Sequence, residues 1–199
     1  IWRNKRRTLI TAASIFFAIF FALIMRALQL GSYGNMIDNA VKLYSGHIQI
    51  HARGYWDNKS INNTLVQDEE LIETLKKNEH IKQIVPRLES FALGSSGPQT
   101  KGVMVMGVNP GKQDSMSKLS DKLVAGEYFE SGEQAVLIGK TLSDYLQLGV
   151  NDTLVLLGQG YHGATAAGKY AVKGIVKIPK PDLDNKMVYL PLNQAQQMY

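Results

Sequence analysis

The sequence predicts an α+β fold: an N-terminal transmembrane helix and stalk, followed by a two-lobed mixed α/β domain on the far side of the membrane. Three observations carry this expectation. Thr8 to Met25 is an unbroken run of uncharged residues, with Arg3, Lys5, Arg6 and Arg7 before it and Arg26 after it. Beyond it, stretches of period two alternate with short stretches of helical spacing. The net charge of +5 belongs to the anchor, because five of the 22 Lys+Arg and none of the 17 Asp+Glu lie in residues 1–26.

The apolar run reads as a membrane span. At ~1.5 Å per residue it is ~27 Å long, close to the roughly 30 Å hydrocarbon core, and Ala27 and Leu28 can extend it. Arg3, Lys5, Arg6 and Arg7 place the N-terminal end in the cytoplasm, so everything after about Gly31 lies across the membrane. A cleaved signal peptide fits less well. Its apolar region is ~7–15 residues and ends at a small-x-small site, where this chain has bulky Met25, Leu28 and Leu30. Residues 1–30 therefore form the basic cytoplasmic end and transmembrane helix. Residues 31–199 form the extracytoplasmic domain, with a stalk helix over 34–45, two lobes joined near 110–130 and a terminal helix over 192–199.

Within that domain, Met36, Ile37, Ala40, Val41 and Tyr44 keep helical spacing, so the anchor continues as a stalk until Gly46. HIQIHA alternates strictly and predicts a half-buried strand from His47 to His51. Asn58 to Asn63 is a polar connector, and Asp68 caps a helix carrying Leu71, Ile72 and Leu75 on one face. Strands Ile81 to Leu93 and Lys101 to Asn109 flank GSSGPQT, a turn signal. A mixed, helix-bearing segment runs from Gln113 to Phe129. A second cycle follows: strand Ala135 to Ile138, helix Thr141 to Leu148, strand Thr153 to Leu157, a Gly-rich loop, strand Tyr170 to Lys177, strand Lys186 to Leu190, then helix from Leu192.

Chemistry is sparse. Gly163 to Lys169 fits GxxxxGK, but Tyr170 replaces the Ser/Thr that would hold magnesium, and YAVKGIVKI alternates like a strand where a helix N-terminus should face the phosphates. Gly139-Lys140-Thr141 lies between a strand and a helix, yet Gln134 occupies the first glycine position. Neither is expected to bind ATP, and no cofactor is expected. His47 and His51 on a strand stand ~13 Å apart, too far to share an ion. Zero cysteines exclude disulfides, thiolate zinc sites and cysteine nucleophiles. The electroneutral domain lacks the basic stripe that nucleic acid requires. Phe16, Phe17, Phe20 and Phe21 make an aromatic face on the span, turned toward lipid or a neighbouring membrane helix.

The order of elements now matters more than any one of them. WRNKRRTLIT before one span, then SGHIQIHARGYWD, VMVMGVNP, LVAGEYF, EQAVLIGKTLSDYLQLGVNDTLVLL, YAVKGIVK and MVYLPLNQAQQMY together resemble the permease subunits of the MacB/LolC/LolE class of bacterial ABC transporters. The resemblance implies a periplasmic core domain held in the inner membrane, three further spans beyond this excerpt, and a second permease copy or paralogue. It also implies a cytoplasmic ATPase partner that moves the periplasmic lobes through the stalks. GHIQIHARGYW favours the lipoprotein-releasing branch over macrolide efflux, with lipoprotein cargo, a periplasmic carrier, and Phe17, Phe21 and Leu28 lining an apolar cavity. A membrane-anchored sensor or binding domain is the alternative from another class.

Overall fold

The computed structural model of the chain describes residues 4–40 and 46–199. Arg3 and residues 41–45 of the expected stalk, Val41 and Tyr44 among them, lie outside the described residues. The chain divides into two compact units, residues 1–49 and 50–199.

The first unit is built on α1, Lys5–Ala40, one helix of 36 residues. At ~1.5 Å per residue this is ~54 Å, well beyond the hydrocarbon thickness of a bilayer. Gly31 and Gly34 do not interrupt it, so the anchor and the first part of the predicted stalk are one continuous helix.

The second unit contains α2 (Glu69–Lys76), β1 (Arg87–Ser96), β2 (Gln99–Val108), α3 (Pro110–Ser117), β3 (Leu123–Gly126), β4 (Ala135–Gly139) and α4 (Lys140–Leu146). It continues through β5 (Thr153–Gln159), β6 (Thr165–Val176), α5 (Pro181–Asp184), β7 (Met187–Pro191) and α6 (Leu192–Met198). Local chemistry sets many of these boundaries. Asp68 caps α2 by accepting from the Glu70 N–H. Asn109 caps α3 by accepting from the Lys112 N–H, and Pro110 occupies the first turn, where its missing N–H costs nothing. Gly97, at φ 72°, opens the two-residue turn between the last pair of the β1–β2 hairpin, Ser96 and Gln99. The hairpin is tighter than GSSGPQT suggested, because Gly94 to Ser96 and Gln99 to Lys101 are paired strand residues.

All seven strands share one sheet, in the order β3-β6-β4-β7-β2-β1-β5. β5 also pairs with β6, from Thr153 opposite Ala171 to Gln159 opposite Thr165. Six strands thus close into a barrel-like ring, with β3 attached to β6. β6 makes this possible by its length of 12 residues: its first half pairs with β5, and its second half lies between β4 and β3. The β2–β7 and β4–β6 pairs are parallel and the others antiparallel. β4 and β7 are buried at every residue, which explains their nearly continuous apolar sequences AVLIG and MVYLP. One core cluster gathers Val103 and Val105 of β2, Val136 and Ile138 of β4, Leu154 and Leu156 of β5, Val172 of β6, and Val188 and Leu190 of β7. The seam expected near 110–130 falls on α3, a 3-10 turn at Ser120–Lys122 and β3. Strands on either side of it pair with one another in the common sheet.

The strand expected from His47 to His51 does not form. His47 lies in a bend and residues 48–52 belong to no element. Alternation specifies a strand only when one face is buried against a sheet, and here Ile48 is 83% exposed and Ile50 48%.

Candidate functional site

Apart from Arg3, which lies outside the described residues, the side chains that the sequence singled out for function lie on α1. Lys5, Arg6 and Arg7 stand exposed in its first turns. Its stretch Lys5–Gly34 is long and apolar enough to cross a membrane, and its most apolar part is nowhere buried within the protein. At about 100° per residue, Phe17, Phe21 and Leu28 fall within about 40° of one another, with Ile24 about 20° to one side. Thr8, Thr11, Arg26, Gln29 and Tyr33 occupy an arc of about 60° on the other side. Ile15 and Ala22 share that arc, so the two sides differ mainly beyond the apolar run. Phe17 is 52% exposed, Phe21 61% and Leu28 62%, so the predicted cavity-lining residues form one uncovered stripe. Phe17 stacks on Phe21 with ring centroids 6.3 Å apart, and Phe16 on Phe20 at 6.0 Å. The hydroxyls turn inward onto the helix backbone: Thr11 Oγ1 donates to the Arg7 carbonyl at 3.0 Å and Ser14 Oγ to the Thr11 carbonyl at 2.8 Å. This leaves less unsatisfied polarity for a hydrocarbon environment.

The two phosphate-loop look-alikes resolve differently. Gly163 to Lys169 lies on the β5–β6 hairpin, with Thr165 onward inside β6. Gly139-Lys140-Thr141 does sit where a strand meets a helix, but that helix start already holds an anion. The Asp184 carboxylate, fully buried, accepts from the Thr141 N–H at 3.0 Å, the Thr141 hydroxyl, the Ile178 N–H at 2.8 Å and Lys177 Nζ at 2.9 Å. Burial pushes the Asp184 carboxyl up, but these hydrogen bonds outweigh it and hold the group below the ordinary aspartate range. The fit is close: a Cβ on Gly139 would lie 2.1 Å from the Asp184 backbone oxygen. Nothing local in the sequence signals this carboxylate, which lies 43 residues from Thr141.

The histidines enter other contacts. The His51 ring stacks on Tyr55 at 4.7 Å with an interplanar angle of 3°, and Lys59 lies over Trp56 at 4.2 Å. Among the described residues, no group of three or more His, Cys, Asp or Glu could hold a metal ion.

The terminal helix is part of the folded core rather than a free stalk. Ala195 of α6 is fully buried, and a Cβ on Gly107 of β2 would meet the Ala195 Cβ at 2.4 Å. Only glycine lets α6 approach β2 so closely. The sequence reading places a helix over 192–199 but gives no sign of this docking, because the small residue that permits it lies on a distant strand.

Comparison with known proteins places these features. The family described as the MacB-like periplasmic core domain matches residues 8–199. The lipoprotein-releasing system transmembrane protein LolC of Xylella fastidiosa (strain 9a5c) is 28% identical over 122 residues, 57% of this chain and 29% of that protein. The chain thus matches well under half of that relative's length. Among solved structures, the extracellular domain of the noncanonic ABC-type transporter YknZ from Gram-positive bacteria superposes with a TM-score of 0.49 at 20% identity. That match covers 65% of this chain and 64% of the other.

Proposed function

Because the chain belongs to the MacB-like periplasmic core domain family, we propose that it is the anchor and extracytoplasmic domain of a permease subunit in a bacterial ABC transporter. ATP hydrolysis resides on a separate cytoplasmic ATPase, and α1 relays its motion across the inner membrane. The observation that carries this reading is α1 itself. A helix with a basic first turn and an unburied apolar span continues beyond membrane thickness without a break, which suits a rod that transmits displacement. The occupied helix start at Thr141 fits a subunit that does not bind the nucleotide itself.

The cargo we propose is a lipoprotein, released from the inner membrane toward the outer membrane by a dimer of this permease with a second copy or paralogue, and passed to a periplasmic carrier. The stripe of Phe17, Phe21 and Leu28 suits acyl chains, since it offers apolar area without polar groups. The test is reconstitution of the full-length permease with its ATPase in proteoliposomes holding a fluorescent triacylated lipoprotein. ATP-dependent transfer to a soluble carrier supports the reading. ATP-dependent movement of a macrolide without lipoprotein transfer would favour efflux, and absence of any stimulated ATPase would favour a sensor. Orientation has its own check: a reporter fused after Tyr199 is expected to be active only if it works outside the cytoplasm.

A further inference from the structure

The tip of the β5–β6 hairpin is held from two directions by elements far apart in sequence. From the N-terminal side, a 3-10 turn at Ile61–Asn63 packs against the tip, and the Asn62 side-chain oxygen accepts from the His162 N–H at 2.7 Å across 100 residues. From the C-terminal side, the Tyr161 N–H donates to the backbone oxygen of Tyr199 at 2.6 Å. One further contact fits the tip to the end of α6, and another ties that end to β1. A Cβ on Gly160 would lie 2.8 Å from the same Tyr199 oxygen, and the Tyr199 hydroxyl donates to the Phe91 carbonyl of β1 at 3.4 Å. His162 adopts a left-handed backbone at φ 51°. A residue without glycine's freedom holds that conformation at a cost, and a fixed acceptor for its N–H helps to offset it.

Residues 50–63 are the stretch by which the chain enters the folded unit after α1, and α6 is the unit's last helix. Both are fastened to the same five-residue tip, residues 160–164, and Asn62 contributes by a side chain alone. Asn62 is exposed, so its hydrogen bond to His162 is not a by-product of core packing.

We propose that the β5–β6 hairpin tip is a clamp that couples the segment arriving from α1 to helix α6, with Asn62 as the positioning residue that closes it. The inference rests on the mechanical reading given above and goes beyond it by naming the junction. Displacement entering at residues 50–63 reaches α6 through Asn62, His162, Tyr161 and Tyr199 in turn, and the hairpin moves with both.

The experiment uses the full-length permease in complex with its ATPase, reconstituted in lipid nanodiscs. Any cysteines outside this sequence are removed first, and spin labels are placed at Ala164→Cys on the hairpin and Asp144→Cys on α4. Asn62→Ala removes the acceptor, and Asn62→Asp retains one. Hydrogen exchange at the His162 amide is expected to quicken about tenfold in Asn62→Ala and to return to near the native rate in Asn62→Asp, as for loss and recovery of one hydrogen bond. The spin-label separation is expected to shift between nucleotide-free and ATP-bound states in the native protein and in Asn62→Asp, and to lose at least about half of that shift in Asn62→Ala with ATPase activity retained. An undiminished shift in Asn62→Ala overturns the clamp and leaves the mechanical reading standing. No shift in the native protein overturns both.

Discussion

α1 and the six-stranded ring contain similar apolar residues and use them in opposite ways. In the ring, Val105, Leu137, Ile138, Leu154, Leu156 and Leu190 are completely removed from solvent by residues of the same unit. Along α1, Ile15, Phe16, Ile19, Phe20 and Leu23 are 46–65% exposed. At roughly 25 cal/mol per Å² of apolar surface, the ring's residues stabilise a fold and those of α1 cannot, unless lipid or other helices cover them. The difference shows that apolar content in this chain has two solvents. In the ring, periodicity records which side of an element meets protein. Between Thr8 and Met25 of α1 nearly every residue is apolar, as expected of a segment that meets lipid or another membrane helix in every direction.

The largest expected effect would test that contrast directly. Leu190→Ala in the ring is expected to lower unfolding stability by about 2–5 kcal/mol in a denaturant titration. Phe20→Ala on α1 is expected to leave the same transition within about 0.5 kcal/mol. Equal losses at both positions would mean that α1 packs on the ring as a core element.

Asp184 comes next. Asp184→Ala leaves the buried Ile178 N–H and the Thr141 donors without their acceptor, at an expected cost of about 3 kcal/mol. Its pH dependence has a definite sign. The folded carboxyl titrates below its unfolded value of roughly 3.9, so its contribution is fully present above that value and disappears as pH falls through the folded value. The stability gap between the native protein and Asp184→Asn should therefore be constant near neutrality and close only below about pH 4. A gap that closes at pH 6 would show that the site is wrongly described.

On α1 the sharper comparison is between faces. Phe17→Ala with Phe21→Ala is expected to leave membrane insertion unchanged and to slow lipoprotein release about fivefold or more, through loss of apolar contact with acyl chains. Thr11→Ala on the other face is expected to leave release unchanged. Equal effects from the two faces would remove the assignment of the cavity to the phenylalanine stripe. The smallest effect is expected at Lys140→Ala. Its ion pair with Asp144 is an exposed i,i+4 contact, worth about 0.3–0.5 kcal/mol, and the partner ATPase should keep its activity. Loss of ATP hydrolysis there would revive the phosphate-loop reading.

How much of this was legible follows the range of the interactions. Asp68 and Gly97 each act on a backbone group within a few residues, so α2 and the β1–β2 turn could be read directly, whereas α3 and its Asn109-Pro110 cap were read only as a helix-bearing segment from Gln113. Strands β4 and β7 announced burial through AVLIG and MVYLP. The span and its basic flank were equally plain, since a membrane is recognised by composition along a single segment. The ring was not legible, because its closure depends on β6 finding β5, β4 and β3 at once, and strand pairing leaves no local mark. HIQIHA misled for the same reason in reverse: alternation describes a face and says nothing of whether a neighbour exists to cover it. Asp184 and Asn62 escaped notice because each meets its partner 43 or 100 residues away, through geometry that only the folded chain creates.

Ring closure also fixes when this domain can fold. The β5–β6 and β1–β2 hairpins join segments adjacent in the chain and can form on the microsecond scale of local pairing. The β2–β7 and β4–β7 pairs cannot form until Met187–Pro191 is present, near the end of the sequence. During synthesis β2, β1, β5, β6 and β4 can pair into one open sheet, but the gap between β4 and β2 stays until β7 arrives and inserts there in a single late step. Such non-local closure is slow and leaves strand edges exposed in the interval. Translation or translocation that stalls before residue 187 should strand the domain in that open state, with the facing edges of β2 and β4 unpaired.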